Sequence, residues 1–336
     1  MKRRRHSGFS LIELMIALTV GLITLTVIAT VFSQTSSGRG ELDRVSRLVE
    51  NSRFAADIIG DDVRHAGFYG TFLPPTDTVY TDPSPCAWNT VDPVQLGWQP
   101  GASPPRYPAQ LQGWDDPAAA LVALNCLPDR VPGTDVLAIR RVSSRAVPLA
   151  QVATTSVYVQ AAQCISDPPP MLRVSNLAAQ FTLRTAACDV ANLAGIRRYF
   201  VRVYYVASCN ECAPSDGIRT LKRMEVVDNV YRVVSLAEGV ENVQFEYAFD
   251  TNDDGSPEEM RTDLGVAGPA ASWANVVAVR MHVLMRSTEP GMTADTTPTL
   301  FNLGPGHAAV SCPDRFKCRL LTTTFRLNNI AGRRET

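Results

Sequence analysis

The most prominent hydrophobic pattern is an apolar stretch from Phe9 to Phe32, in which Glu13 is the only charged residue. A helix of roughly 20 apolar residues covers the ~30 Å hydrocarbon core of a bilayer, so this stretch predicts one membrane-spanning helix. Basic residues from Lys2 to Arg5 precede it. Because such residues stay on the cytoplasmic side, we expect the rest of the chain to be exported.

A second pattern follows this stretch. Apolar or small residues recur every three or four positions, at Leu42, Val45, Leu48, Val49, Ser52, Ala55, Ala56, Ile59, Val63 and Ala66. This spacing places them on one face of a helix, and no proline occurs between Met1 and Leu73. We therefore predict one helix over 9–66, about 85 Å long at 1.5 Å per residue, with a membrane-spanning part at 9–32 and an amphipathic part at 33–66.

The rest of the chain, 67–336, predicts an irregular region followed by a β-rich head. Prolines are frequent from Leu73 to Pro132, with Trp88, Trp98 and Trp114 among them, which favours loops packed on a sheet over a surface for another subunit. Beyond this region, β-branched and aromatic residues between turn formers predict strands at 136–142, 155–160, 180–184, 198–207, 221–227, 231–236, 243–249, 276–286 and 321–327. Alternation within 279–283 predicts one sheet face in water.

These elements predict the α+β fold class, in which one long N-terminal helix packs on one or two antiparallel β-sheets. With 45% apolar and 19% charged residues and a formal net charge of −1, the exported part is expected to be globular, and the charge balance gives no sign of nucleic-acid binding. The histidines, His6, His65, His282 and His307, lack metal-ligand spacing. No nucleophile, phosphate-binding or dinucleotide-binding motif occurs, so we expect no enzymatic activity.

The start of the chain differs from an ordinary secretory signal. No small-residue cleavage site follows Phe32, and a carboxylate within a membrane span is costly enough to suggest a function. Gly8-Phe9, the apolar stretch and Glu13 resemble the class III signal of type IV pilins and type II secretion pseudopilins. The resemblance implies that a prepilin peptidase removes the leader 1–8 after Gly8 and methylates Phe9, and that Glu13 pairs with the Phe9 amine of a neighbouring subunit. The alternative is a signal anchor for an unrelated periplasmic domain.

A second resemblance lies in the predicted β region. The segments 238–247, 250–255 and 273–280 are similar to the PilW family of minor pilins, which is related to the GspJ pseudopilin of type II secretion. The resemblance implies a pilin-like fold anchored in the inner membrane with a periplasmic head. It also implies a role in priming pilus assembly, with other minor pilins and a tip adhesin as partners. The alternatives are a type II secretion pseudopilin and a membrane-anchored periplasmic enzyme or adhesin.

An acidic loop within this region has calcium-ligand spacing. Asp250, Asn252 and Asp254 occupy alternate positions before Gly255, as in an EF-hand loop, and Ser256 could supply a backbone carbonyl. Arg261 stands where the bidentate glutamate is expected, so Glu258, Glu259 or Asp263 would have to replace it. The loop predicts either a calcium site, with no other cofactor expected, or an acidic hairpin without an ion.

Eight cysteines in an exported chain predict disulfides. Sequence alone permits 105 full pairings, and proximity favours Cys86 with Cys126, Cys164 with Cys188, Cys209 with Cys212, and Cys312 with Cys318. Cys209 and Cys212 form a Cys-x-x-Cys motif, which also occurs in redox proteins. Because the motif follows a predicted strand without a βαβ context, we favour a structural disulfide.

Overall fold

The computed structural model describes residues 10–75, 77–87, 90–116, 124–264, 273–291 and 299–335. Gly8, Phe9 and Trp88 lie outside these residues. The chain divides into two compact units, one up to Arg47 and one from Leu48 to the end. The long helix α1, Leu11–His65, contributes residues to both.

The second unit contains fifteen described strands and a short helix near the end of the chain. The strands are β1 (Val79–Thr81), β2 (Arg106–Pro108), β3 (Leu111–Trp114), β4 (Val136–Val142), β5 (Tyr158–Ala161), β6 (Leu172–Ser175), β7 (Ile196–Ala207), β8 (Thr220–Val227), β9 (Val230–Glu238), β10 (Val240–Phe249), β11 (Glu259–Arg261), β12 (Val276–Arg286), β13 (Leu300–Phe301), β14 (Val310–Ser311) and β15 (Cys318–Arg326). The short helix α2 is Asn328–Arg334.

Two antiparallel sheets carry most of these strands. One has the order β11-β10-β12-β15, and the other has the order β3-β4-β7-β5-β6, with β8 paired to β7 and β9 paired to β8. The strands β13 and β14 form a separate two-stranded hairpin, and β1 and β2 pair in parallel. The helix and these sheets confirm the predicted α+β, pilin-like fold.

The part of α1 after Arg47 packs into the main core of the head. Its buried apolar residues are Leu48, Ala55, Ala56, Ile59 and Val63, and with Ala66, which directly follows the helix, they share one cluster with side chains of β10, β12 and β15. Gly60 lies against β15, where a Cβ atom would overlap the ring of Phe325. The predicted amphipathic face therefore packs in the head from Leu48 onward, whereas Leu42 and Val45 of that face are 71% and 41% exposed.

A second core lies on the β4–β7 sheet. Trp98 is buried at its centre and makes edge-to-face contacts with Tyr69, Tyr107 and Tyr199 at centroid distances of 5.0, 5.8 and 5.3 Å. Such aromatic pairs stabilise a core beyond their buried area. The described part of the proline-rich region thus packs on a sheet, as the sequence favours.

One sequence expectation is wrong, and another holds only in part. The predicted strand at 180–184 is not formed; Phe181 is instead buried with Tyr158 and Ile196, while the side chain of Gln160 hydrogen-bonds the backbone of Leu183. The second concerns the face of 279–283 expected in water. Arg280 on that face has a side chain 39% exposed, but His282 is only 7% exposed, and all ten residues of β10 beside it are buried. Gly304, in the β13–β14 loop, lies against His282.

Candidate functional site

The N-terminal unit contains an apolar helical segment whose large side chains are exposed in the described part of that unit. Large apolar side chains from Leu11 to Phe32 are each 55–76% exposed. By length and composition this helix can cross a membrane. A surface this apolar is unfavourable in water, so the segment needs lipid or the helices of other subunits around it.

Hydroxyl groups in this segment are satisfied within the helix. Each threonine donates to a carbonyl three or four residues earlier, in the pairs Thr19 to Ile16, Thr24 to Val20, Thr26 to Leu22, Thr30 to Val27 and Thr35 to Val31, at 2.6–2.9 Å. An unsatisfied polar group in hydrocarbon costs several kcal/mol. These bonds make the threonines compatible with a bilayer. The carboxylate of Glu13 is then the polar group of the segment that is costly to place in hydrocarbon.

Glu13 lies in the first turn of α1. One carboxylate oxygen, Oε2, accepts a hydrogen bond from the backbone N–H of Ser10 at 2.9 Å. A carboxylate is stabilised at a helix N-terminus by the unpaired N–H groups there. No cation among the described residues lies within ion-pair distance of Glu13, so the geometry leaves its charge for a group outside the described chain.

At the other end of α1, Asp62 attaches the helix to the β4–β7 sheet. Its side chain is 1% exposed and lies 2.9 Å from Arg141 Nη2 and 2.7 Å from Arg202 Nη1. The Tyr204 hydroxyl also donates to it. Burial alone would raise the pKa of Asp62, but Arg202, Tyr204 and Arg141 hold it below its ordinary value. Sequence reasoning missed this residue, because only the fold brings both arginines to it.

The acidic loop connects β10 to β11. Asp250 is buried, and its Oδ1 accepts N–H groups of Asp253 and Asp254 while its Oδ2 accepts that of Gly255, at 2.6–3.3 Å. Carboxylate oxygens of Asp250, Asp254 and Glu258 lie within 4.8 Å of one another. The Asn252 side chain accepts from the Asp254 N–H and donates to that residue's carboxylate, while the Ser256 N–H donates to Asp254 Oδ1.

An arginine already occupies the buried end of this loop. Arg334 of α2 lies 3.1 Å from Asp250 Oδ2 and 2.8 Å from Asp253 Oδ1. Burial raises the pKa of Asp250, but the Gly255 N–H and Arg334 outweigh it, and the result is a pKa below the ordinary value. Calcium at this loop stays a prediction, and in this geometry the ion would compete with Arg334 for Asp250.

The cysteines form four disulfides in the structure, Cys86–Cys126, Cys164–Cys188, Cys209–Cys212 and Cys312–Cys318. These are the pairs that proximity along the chain favours. Each closes a loop of the head, which restricts the unfolded chain more than the folded one. Cys209–Cys212 follows β7 and precedes β8, so the motif lies in a hairpin connection.

The described histidines occupy three different settings. His65 is partly exposed at the end of α1, where Nδ1 contacts the carbonyl of Asp61. His282 is buried between Glu246 Oε1, at 2.7 Å, and Thr322 Oγ1, at 3.0 Å. His307 lies beside Asp115 and Asp116. The sequence did not predict that Asp115, Asp116 and His307 lie close together.

Two family models match this sequence. Residues 3–29 match the model described as Prokaryotic N-terminal methylation motif, and residues 203–329 match the model described as Type IV Pilus-assembly protein W. The first contains Gly8, Phe9 and Glu13, and the second contains the acidic loop and the sheet on which α1 packs. Together the two matches support a PilW-family type IV minor pilin. No curated protein and no solved structure matches the chain significantly.

The two matches fall on different parts of the structure. The methylation motif implies processing by a prepilin peptidase and partners in pilus assembly, and the exposed apolar helix is consistent with membrane anchoring. The PilW match covers β10, β12 and β15, which bury the second half of α1. Residues 30–202, including Asp62 and the aromatic core around Trp98, lie outside both matches.

Proposed function

We propose that this PilW-family protein is a structural minor pilin that takes part in priming type IV pilus assembly and in the complex at the pilus tip. The observation that carries the proposal is the apolar stretch of α1 from Leu11 to Phe32, whose large side chains are exposed along its length and whose one acid, Glu13, has no described cation. Helix packing between subunits would cover these apolar side chains and would bring a cation to Glu13. The protein acts in this proposal by contact and not by catalysis.

The proposed contact pairs Glu13 with the methylated amine of Phe9 in a neighbouring subunit. Glu13 Oε2 is engaged by Ser10 of its own chain, which holds the carboxylate close to the start of the helix. Pairing two charges in an apolar setting removes the cost of leaving each one desolvated alone. We further propose that the head is periplasmic and that the chain sits in the inner membrane before assembly.

Processing tests the first step. Mass spectrometry of assembled material should find an N-terminus at Phe9 carrying one added methyl group, while retention of Met1 to Gly8 in that material would contradict the proposal. Gly8→Ala should reduce cleavage, because the resemblance implies a peptidase that requires glycine at this position.

Assembly tests the second step. Glu13→Ala should insert normally, since it makes the span more apolar, yet reduce pilus number and co-purification with other minor pilins. Glu13→Gln is the matched control for side-chain size, and it should also fail, because it removes the charge but keeps the shape. Normal piliation in both variants would show that no pairing at Glu13 is needed.

Deletion of the gene separates a pilus from a secretion machine. We expect loss of pili that is restored by the wild-type chain, with export of folded proteins to the medium unchanged. Loss of that export with pili intact would assign the chain to type II secretion instead.

A further inference from the structure

We infer that Asp115, Asp116 and His307 form a binding site for a divalent transition-metal cation of the zinc type in the head. This site is separate from the acidic loop at 250–258 and from the anchor helix. Its residues come from two parts of the chain 191 positions apart.

The fold fixes both sides of this site. Asp115 and Asp116 directly follow β3, whose last residue Trp114 pairs with Val136 of β4. His307 lies in the loop between β13 and β14, which is closed by the pairing of these strands. Leu303, in the same loop, is 1% exposed and anchors the loop in the head. The three side chains are therefore held by regular structure on each side.

The distances place a different carboxylate beside each ring nitrogen of His307. His307 Nδ1 lies 3.4 Å from Asp116 Oδ2, and His307 Nε2 lies 3.8 Å from Asp115 Oδ1. One donor atom from each residue lies within 4.8 Å of the other two. Around zinc, ligand atoms at about 2.0–2.2 Å from the ion are roughly 3.3–3.6 Å apart in a tetrahedron. The separation of His307 Nε2 and Asp115 Oδ1 is close to that spacing.

The state of His307 points to a missing ligand. Its side chain is 6% exposed, and Nε2 has no hydrogen-bond partner among the described residues although it faces Asp115. Buried polar atoms are nearly always paired. An imidazole nitrogen in such a position is a normal zinc ligand, and the carboxylate near its other nitrogen is the usual supporting partner of a metal-bound histidine.

Charge supports the same conclusion. In the described part of the chain, neither Asp115 nor Asp116 has an arginine or lysine within ion-pair distance, and Asp135 lies beneath them, accepting the Asp116 N–H at 2.9 Å. The acidic loop differs, because Arg334 neutralises Asp250 there. A cation at His307 would supply the positive charge that the protein does not.

Gln244 of β10 positions the site without being a ligand. Its Nε2 donates to Asp116 Oδ1 at 3.0 Å, which leaves Oδ2 directed toward His307. Imidazole nitrogen together with carboxylate oxygen suits zinc better than calcium, which prefers oxygen alone. With His307 Nε2 and Asp115 as its protein ligands and Asp116 as the supporting partner at Nδ1, zinc would complete its tetrahedron with water.

The test uses the full-length protein in detergent, stripped with a chelator and then titrated with zinc in a calorimeter. We expect one equivalent bound by the wild type, loss of binding in His307→Ala and in His307→Gln, and unchanged binding in the control variants His65→Ala and Asp254→Asn. Gln244→Leu should weaken binding about 10- to 100-fold, as loss of a supporting partner does. Circular dichroism verifies that each variant is folded.

X-ray absorption of the zinc-loaded protein gives an independent readout. We expect nitrogen and oxygen neighbours with one imidazole, and the unfolding temperature of the wild type should rise with zinc while that of His307→Gln should not. Absence of zinc binding, equal binding in His307→Gln, or sulfur in the coordination shell would overturn the inference.

Discussion

The two parts of α1 place an acidic side chain in opposite situations. Asp62 is buried and receives two arginines and a tyrosine from its own chain. Glu13 lies in an exposed apolar segment, and its described partner is the backbone N–H of Ser10. The comparison shows which acidic group the chain pairs by folding and which has no cation beside it among the described residues. The part of α1 that carries Asp62 packs in the head, and the part that carries Glu13 is exposed.

Removal of Asp62 should produce the largest loss of stability. Asp62→Ala leaves Arg141 and Arg202 without their buried partner, and breaking a buried ion pair costs about 3–5 kcal/mol. Urea unfolding of the full chain in detergent, followed by tryptophan fluorescence, measures the change. Asp61→Ala is the matched control, because the Asp61 side chain is 64% exposed and should cost less than about 0.5 kcal/mol. Equal effects of the two variants would contradict the role of Asp62.

Overpacking at Gly60 tests the packing of α1 against the head without changing a charged residue. Gly60→Leu places a side chain where the Phe325 ring lies, and overpacking a core costs about 1–3 kcal/mol. Gly38→Leu is the control, since nothing lies within 4 Å of a Cβ at Gly38. A Gly60 variant as stable as wild type would show that α1 does not pack closely against β15.

The pH dependence of unfolding separates the charge of Asp62 from its size. Its pKa is lower in the folded protein than the ordinary value of 3.8, so the stabilisation is fully present above that value. It is lost as the pH falls through the lowered folded pKa. Asp62→Asn should flatten the decline of the unfolding free energy below pH 3.8. An identical acid decline in wild type and Asp62→Asn would assign that decline to other carboxylates, such as Asp250, whose pKa is also lowered.

Calcium should have a smaller effect on stability, because Arg334 already forms an ion pair with Asp250. Ligand binding to the folded state adds about 2.7 kcal/mol at a hundredfold excess over Kd, and competition with Arg334 reduces this. We expect the calcium-dependent rise in melting temperature to be larger in Arg334→Gln than in wild type, and absent in Asp250→Ala. A melting temperature independent of calcium in all three proteins would make the loop an acidic turn without an ion.

Glu13 should have the smallest effect on the head. Glu13→Ala is expected to leave the unfolding free energy of the head unchanged, because Glu13 has no described contact in that unit. The same preparation should fail to assemble with other minor pilins. Loss of head stability in Glu13→Ala would contradict the view that only the second part of α1 contributes to the stability of the head.

Strand prediction succeeded where local pattern and tertiary position agree. The strands β4 and β12 have the predicted bounds, 136–142 and 276–286. The segment 180–184 has strand-like composition, but Phe181 is buried in a small cluster, and the Leu183 N–H donates to the side-chain oxygen of Gln160 and not to a neighbouring strand. Strand propensity depends on local composition and takes no account of a hydrogen bond from a side chain elsewhere in the chain. The bond to Gln160 therefore explains this error.

The sequence by itself determined the anchor, the amphipathic face of α1, the α+β class and the PilW resemblance, because each is a local pattern of hydrophobicity, spacing or motif. Only the tertiary structure decided which charges meet. Asp62 reaches Arg141 and Arg202, Arg334 reaches Asp250, and His307 reaches Asp115 and Asp116. These contacts join residues 79 or more positions apart. Their energy depends on burial and distance, and neither can be read from spacing along the chain.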